Sequence, residues 1–311
     1  MSALAPWLIF PAVVGGAFAA AIALEPLYGA AAALIIAKAA AVLAIAVAER
    51  LLPYRQDWNR SHGDFATDVA HGFISGLGTT TLMRLLVQAG GVVLAGWLSR
   101  ALGSTVWPST WPLLAQLALA AVIAELPMYW LHRWQHEHEW LWRFHAVHHS
   151  SPRLYWLNGA RNHPVDLGLT YLVGYLPLIA LGASEAVIML FTLFDPVLGT
   201  LQHANIALRL GPLNYLFSCC EPHRWHHSRT LGEANTNYGS NLLVWDLAFG
   251  TFHLPADRAP RAVGIGGMPD FPQTFAAQMA APFRWHRLAH PSPEPAGGDA
   301  GTAAAPPITN H

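Results

Sequence analysis

Six apolar runs constrain most strongly how this chain can fold. A helix needs about 20 mainly apolar residues to cross the hydrocarbon core of a bilayer. The third run is interrupted by His71 and Arg84, so it is either one tilted helix or a re-entrant pair. The sequence therefore predicts an all-α protein built as a multi-pass transmembrane helix bundle. The six runs occupy residues 7–24, 30–48, 69–98, 112–131, 167–181 and 185–201.

The composition agrees with a membrane protein. Of the 311 residues, 53% are hydrophobic and 11% are charged, whereas a soluble domain carries about 25% charged residues. A net charge of −1 and the lack of a basic block argue against a nucleic-acid partner. The two cysteines, Cys219 and Cys220, are adjacent, so the sequence indicates neither a disulfide framework nor a thiolate metal site. No basic segment precedes the first apolar run, so we expect that run to be retained rather than cleaved as a signal peptide.

The arginines indicate how the bundle is oriented. Segments 49–62, 131–166 and 209–290 hold nearly all of them, whereas the turns at 25–29 and 182–184 hold none. With six crossings, the arginine-bearing segments all lie on one side of the membrane, which the positive-inside rule makes cytoplasmic. We therefore expect an integral membrane protein, in the inner membrane if it is bacterial.

Three clusters of histidines lie in these arginine-bearing segments. The first contains His132 and His136, and the other two share the spacing HxxHH, beginning at His145 and His223. Residues three and four apart on a helix share one face, with Cβ atoms about 5–6 Å apart. The repeated spacing predicts a site for two metal ions at the cytoplasmic end of the bundle. The eight clustered histidines are His132, His136, His145, His148, His149, His223, His226 and His227, with His203 and His163 as further candidates.

The ligand type leaves the metal open, because imidazole binds zinc, copper, iron and nickel. A zinc hydrolase normally carries a carboxylate base within its motif, as in HExxH, and these clusters carry none. A metal-binding transporter is expected to place ionisable ligands near the bilayer midplane, whereas these clusters lie beyond the ends of the runs. Both classes are kept as alternatives. Haem is disfavoured, because its axial pairs would sit on facing helices inside the bundle.

The clusters and their surroundings together resemble the fatty acid hydroxylase superfamily, the sterol desaturase-like membrane di-iron proteins. The resemblance covers roughly residues 45–285 and extends to the order and spacing of the motifs. Those motifs are His132-Arg-x-x-His136, Leu141-Trp-Arg-Phe-His145-x-Val-His148-His149-Ser, Arg161-x-His163-Pro, Gln202-His203-x-Asn205, His223-Arg-Trp-His226-His227-Ser, Asn237-Tyr-Gly239 and Trp245-Asp246-x-x-Phe-Gly250-Thr.

The resemblance implies a cytoplasmic helical cap that holds two irons and an O2-dependent hydroxylation of a lipid C–H bond. The substrate would be a fatty acyl chain, sterol, ether lipid or aminolipid, and a lipid or sterol desaturase with the same site is the alternative. Electrons would come from a separate donor protein or a small reductant such as a pterin. Zinc is expected as an isolation artefact. The implied ligands are the eight clustered histidines and His203, with His163 less certain.

Polar residues near the ligands complete the predicted site. Glu125 shares a helical face with His132 and His136, so we expect it to orient ligand imidazoles. We expect the same role for Asp246 and Asn237. A lipid headgroup is expected near arginines that follow the clusters, namely Arg143, Arg153 and Arg161.

Three domains are expected along the chain. They are an N-terminal transmembrane hairpin at 1–48, a fatty acid hydroxylase-like catalytic domain at 49–285, and a disordered tail at 286–311 that is rich in Pro, Gly and Ala.

Overall fold

A computed structural model describes residues 4–102 and 106–289. Within these ranges the chain forms helices, and pairing between extended segments is limited to three isolated β-bridges. The prediction of an all-α protein is therefore confirmed. The helices are α1 (Ala5–Tyr28), α2 (Ala30–Leu51), α3 (Phe65–Ala70), α4 (Thr80–Leu102), α5 (Leu113–Glu137), α6 (Glu139–His149), α7 (Pro164–Ala180), α8 (Glu185–His203), α9 (Cys220–His226), α10 (Leu231–Ala234), α11 (Val244–Phe249), α12 (Phe275–Ala280) and α13 (Trp285–Ala289).

Five helical stretches are long and apolar enough to cross a membrane. They are α1, α2, the stretch Phe65–Leu102, α5 and α8, and the shorter apolar helix α7 has 17 residues. The stretch Phe65–Leu102 joins α3 and α4 through a π-helical segment, His71–Thr79. The run whose form the sequence left open is therefore one continuous helix rather than a re-entrant pair.

Small residues allow the membrane helices to pack closely. Helices α1 and α2 form a hairpin around Gly29, whose φ of 78° favours glycine. Helix α7 packs against α4 and α5, and a Cβ on Gly174 of α7 would lie 2.5 Å from the sulfur of Met128 in α5. A Cβ on Gly91 of α4 would meet Ile179 of α7 at the same distance. Such contacts are typical of helix packing in membranes, where association depends on close backbone approach.

A buried carboxylate joins the end of one membrane helix, α2, to two distant loops. Glu49, near the end of α2, accepts hydrogen bonds from the backbone N–H groups of Trp156 and Asn205, both at 2.9 Å. Because it has no exposed surface, it fixes two distant loops to one helix end. The loop before α7 and the loop after α8 are therefore both held at the end of α2.

The structure does not test the expected domain boundaries. Helix α13 continues to Ala289, past the predicted start of the tail. The remainder of that predicted tail, residues 290–311, lies outside the described residues.

Candidate metal centre

Four helices bring histidines to one place at the end of the bundle. The last two turns of α5 carry His132 and His136, and the last residue of α8 is His203. Helix α6 supplies the second cluster, and α9 with its C-terminal neighbour supplies the third. The apolar helices thus set the position of the site, because α5 and α8 begin as apolar runs and end in imidazoles.

Nine imidazoles form two groups within which all ligand nitrogens lie within 4.8 Å of one another. Each HxxHH cluster is divided between the two groups. In the cluster on α6, His145 and His149 belong to the first group and His148 to the second. In the cluster on α9, His223 and His227 belong to the second group and His226 to the first. The groups touch, since the rings of His149 and His227 stack with centroids 4.3 Å apart. The first group is His132, His136, His145, His149 and His226, and the second is His148, His203, His223 and His227.

The outward-facing nitrogens of six of these rings are held by hydrogen-bond acceptors. The Nδ1 of His132 lies 2.6 Å from the Tyr238 carbonyl, and that of His145 lies 3.1 Å from the Asp166 carboxylate. When Nδ1–H donates, the lone pair of Nε2 is free to face the group centre. The other four Nδ1 atoms lie near Asn235 Oδ1 (His136, 3.2 Å), Arg161 O (His148, 3.2 Å), Asn158 Oδ1 (His203, 3.1 Å) and Thr236 O (His226, 2.9 Å).

The inner nitrogens fit bound metal ions. In the described part of the chain, the buried Nε2 atoms of His136 and His226 have no hydrogen-bond partner. Burial lowers the pKa of His148 to about 4 and holds the pKa of His149 well below its usual range. The imidazoles are therefore neutral at physiological pH, which is the form that binds metals. Nine converging neutral nitrogens, two of them buried without a partner, fit a site with an all-imidazole donor set.

Glu125 and Asp246 do not contact the ligand imidazoles directly, as the sequence suggests they would, but contact a backbone loop beside them. Glu125 accepts hydrogen bonds from the backbone N–H groups of Ser240 and Asn241. Asp246 accepts hydrogen bonds from the backbone N–H groups of Tyr238 and Gly239, both at 2.8 Å. Both carboxylates hold a loop whose Tyr238 carbonyl lies against His132. They therefore position an imidazole through the backbone and not by direct contact.

Asn237 also holds this loop. It has a φ of 53°, and its side chain donates to the carbonyls of Pro222 and His253 at 2.9 and 2.7 Å. Because Pro222 precedes His223, Asn237 connects the loop to the start of the third histidine cluster.

Among the described residues, the carboxylate in direct contact with a ligand imidazole is Asp166, which the sequence analysis passed over. It lies in the first turn of α7, and its second oxygen accepts from the side chain of Gln135. An acidic residue opening an apolar helix just after the second cluster was the available signal. The same position also suits an ordinary interaction with the helix dipole, so the signal alone was weak.

His163 lies outside both groups. Its Nδ1 accepts a hydrogen bond from the Val165 backbone at 3.1 Å and caps α7, and its ring packs against Phe144. We therefore leave His163 out of the proposed ligand set.

Two of the three arginines expected at a headgroup are buried in ion pairs. Arg153 pairs with Asp64 at 2.6 Å, and Arg161 pairs with Asp68 at 2.6 Å, with both arginines almost fully inaccessible. A headgroup arriving from solvent or the bilayer cannot reach them, so they serve the fold. Arg143 is partly exposed and pairs loosely with Glu139 at 3.5 Å.

We expect Asp166→Asn to reduce metal affinity by roughly 10–100-fold, because outer partners of ligand histidines typically contribute that much. The amide can still accept a hydrogen bond but no longer carries charge toward His145. Glu125→Gln and Asp246→Asn are expected to act through the loop and to give effects within the same range or below it. Competition with a chelator measures all three affinities. Wild-type affinity in Asp166→Asn would contradict this role.

A membrane helix bundle with two joined all-histidine groups defines a class of membrane metalloproteins, and comparisons with known proteins specify the family. A family model for fatty acid hydroxylase matches residues 117–251. Ornithine lipid hydroxylase OlsE of Rhizobium tropici is 40% identical over 244 residues, which are 78% of this chain and 73% of that protein. The chain belongs to the fatty acid hydroxylase family, and it is an oxidoreductase.

More distant relatives match shorter parts. Alkylglycerol monooxygenase of Danio rerio is 31% identical over 195 residues, covering 63% of this chain and 42% of that protein. Sphinganine C4-monooxygenase 2 of Arabidopsis thaliana is 25% identical over 151 residues, covering 48% and 58%. No solved structure matches the chain significantly. The family named by the resemblance is thus confirmed.

Proposed function

We propose that this protein is an O2-dependent di-iron monooxygenase that hydroxylates a C–H bond of a membrane lipid. The observation that carries the proposal is the pair of adjoining imidazole groups at the end of membrane helices, five rings in one and four in the other. Two groups fit two metal ions. Their position at the bundle end suits a substrate whose chain lies in the bilayer.

Iron is the metal proposed for both groups. When bound, iron supplies the one-electron chemistry with O2 that an unactivated C–H bond requires, and acid–base side chains cannot replace it. The chain contributes neutral nitrogen ligands and the acceptors that hold their outer N–H groups. Zinc binds nitrogen sites more tightly than ferrous iron, so zinc found after isolation does not count against iron.

The substrate class proposed is an aminolipid. This rests on the similarity to an ornithine lipid hydroxylase, of which the chain covers 73%. Arg143 is the basic residue proposed to meet the headgroup, because its Nε is buried and finds no acceptor among the described residues. The acyl chain would run back among the spans that carry Tyr129 and Tyr175.

The proposed side of the membrane rests on the distribution of arginines. With the arginine-bearing segments in the cytoplasm, the histidine groups would also face the cytoplasm. Electrons would reach them from a separate donor protein or a small cytoplasmic reductant.

Lipid analysis of cells with and without the protein tests this function. We expect one aminolipid class to gain a single oxygen atom when the protein is present, and His148→Ala to abolish the gain. Loss of two hydrogen atoms from a lipid would instead show desaturation. An unchanged lipid profile under aerobic, iron-replete growth would contradict the proposal.

A further inference from the structure

A row of oxidisable aromatic rings leads from the first histidine group to the protein surface. The ring of Tyr238 lies 5.4 Å from that of His136 and 6.0 Å from that of Tyr129, centroid to centroid. Tyr129 lies 5.6 Å from Trp130, which lies 5.9 Å from Trp134. Each centroid separation falls within the range of ordinary aromatic contact, so the row has no gap.

Exposure increases along this row. Tyr238 and Tyr129 are almost fully buried, at 1% and 0% exposure, Trp130 is partly buried, and Trp134 is 46% exposed. The row therefore joins the interior of the site to an exposed ring in the last turn of α5. An interfacial anchoring role would account for Trp134, but it would not account for the two buried tyrosines.

The Tyr129 hydroxyl is also connected by hydrogen bonds to a proton acceptor. Its hydroxyl lies 3.0 Å from the Thr251 hydroxyl, which donates to the Asp246 carboxylate at 2.7 Å. A phenol loses its proton when it loses an electron. The Thr251 hydroxyl can pass that proton to Asp246 and return it when Tyr129 is reduced again.

Another tryptophan near the site, Trp142, does not start a second row of aromatic rings. Trp142 lies 5.1 Å from His136 and 5.4 Å from His149, yet among the described rings its aromatic contacts are with ligand histidines alone. Its ring packs against the cluster that contains Trp285, but none of the described tyrosine or tryptophan rings is in aromatic contact with it. Tyr238 is thus the start of the continuous row.

Resting on the proposed function, we propose that Tyr238, Tyr129, Trp130 and Trp134 form an electron path that rescues the enzyme when O2 is activated without a lipid. Tyrosine and tryptophan are among the side chains that lose one electron most easily, and they are very hard to reduce. The row therefore suits removal of an oxidising equivalent from the site, and not delivery of electrons by a low-potential donor.

The electrons balance as follows. Reducing O2 to two waters takes four electrons and four protons; the donor supplies two electrons, and in productive turnover the lipid C–H bond supplies the other two. Without lipid, Tyr238 gives one electron to the oxidised site and is refilled by Tyr129, then Trp130, then Trp134. A one-electron reductant such as ascorbate restores Trp134. A second passage completes the reduction, with protons from solvent.

Spin trapping tests this path by position and not by activity. Iron-loaded, dithionite-reduced enzyme is freed of excess dithionite and mixed with O2 and a nitrone trap in the absence of lipid, and adducts are mapped by peptide mass spectrometry. We expect adducts on Trp134, loss of them when ascorbate is present, and loss of them in Trp130→Phe. Phenylalanine keeps the ring packing but is not oxidised in this range.

Trp140→Phe is the matched control. Trp140 is 62% exposed, and its ring contact among the described residues is with Phe144. Its substitution should leave the Trp134 adduct unchanged. Equal labelling of Trp134 and Trp140, label mainly on Trp142, or Trp134 adducts that persist in Trp130→Phe would overturn the path. O2 uptake is measured in the same samples and again after lipid is added: no uptake without lipid, or uptake with none of the expected adducts, rejects the path alone, whereas no uptake with lipid present rejects the proposed function as well.

Discussion

His226→Ala and His148→Ala are each expected to lose metal and activity together. His226 belongs to the first group and His148 to the second, so each variant removes one nitrogen from a different proposed ion. With about two irons per chain in the wild type, each variant should hold about one or fewer after anaerobic reconstitution. Lipid hydroxylation should fall below detection in both, because the rings of the two groups are in contact and each proposed ion depends on the other.

His138→Ala is the matched control for these variants. His138 lies two residues beyond His136 but is exposed and belongs to neither group. Its removal should leave both the iron content and the hydroxylation rate at wild-type values. Iron measured by emission spectrometry and turnover measured on the same reconstituted samples make the comparison. A wild-type stoichiometry of one, or full activity in either ligand variant, would contradict a shared two-metal site.

The substitution expected to affect stability most is Asp68→Asn. It leaves the Arg161 guanidinium charged and buried without its carboxylate, and removing one partner of a buried ion pair typically costs about 3–5 kcal/mol. It also weakens the hydrogen bond from Tyr155, whose hydroxyl donates to Asp68 at 2.6 Å. The Arg161 carbonyl accepts from His148, so we also expect loss of iron from the second group.

Asp57→Asn provides the comparison on an exposed pair. Asp57 and Arg55 are in contact at 2.8 Å but lie largely in solvent, and such pairs contribute little. Thermal unfolding in detergent should show a large decrease for Asp68→Asn and almost none for Asp57→Asn. Similar melting temperatures for the two variants would contradict the structural role of the buried pair.

The local spacing of the histidines was enough to predict which of them converge. Residues three and four apart must share a helix face, so the eight clustered histidines could be identified without a structure, whereas His203 was a further candidate together with His163, which lies outside both groups. The division of each HxxHH cluster between two groups could not. It depends on how α6 and α9 are rotated toward each other, which the packing of distant segments decides.

The polar residues near the ligands show the same limit. Arg153 and Arg161 suited a headgroup because they are cationic and near the ligands, but their partners Asp64 and Asp68 lie about ninety residues earlier in the chain. Asp166 was missed for the corresponding reason, since the separation of 21 residues from His145 is bridged only when α6 and α7 pack. Contacts of this kind follow from the tertiary arrangement and leave no local pattern.

Turnover under isotopically labelled O2 tests the proposed reaction most directly. The purified, iron-loaded enzyme is supplied with aminolipid and reductant, and the product is analysed by mass spectrometry. A monooxygenase places one labelled oxygen atom in the lipid and the other in water. Product that carries oxygen from unlabelled water instead, formed equally well without O2, would contradict the proposed function.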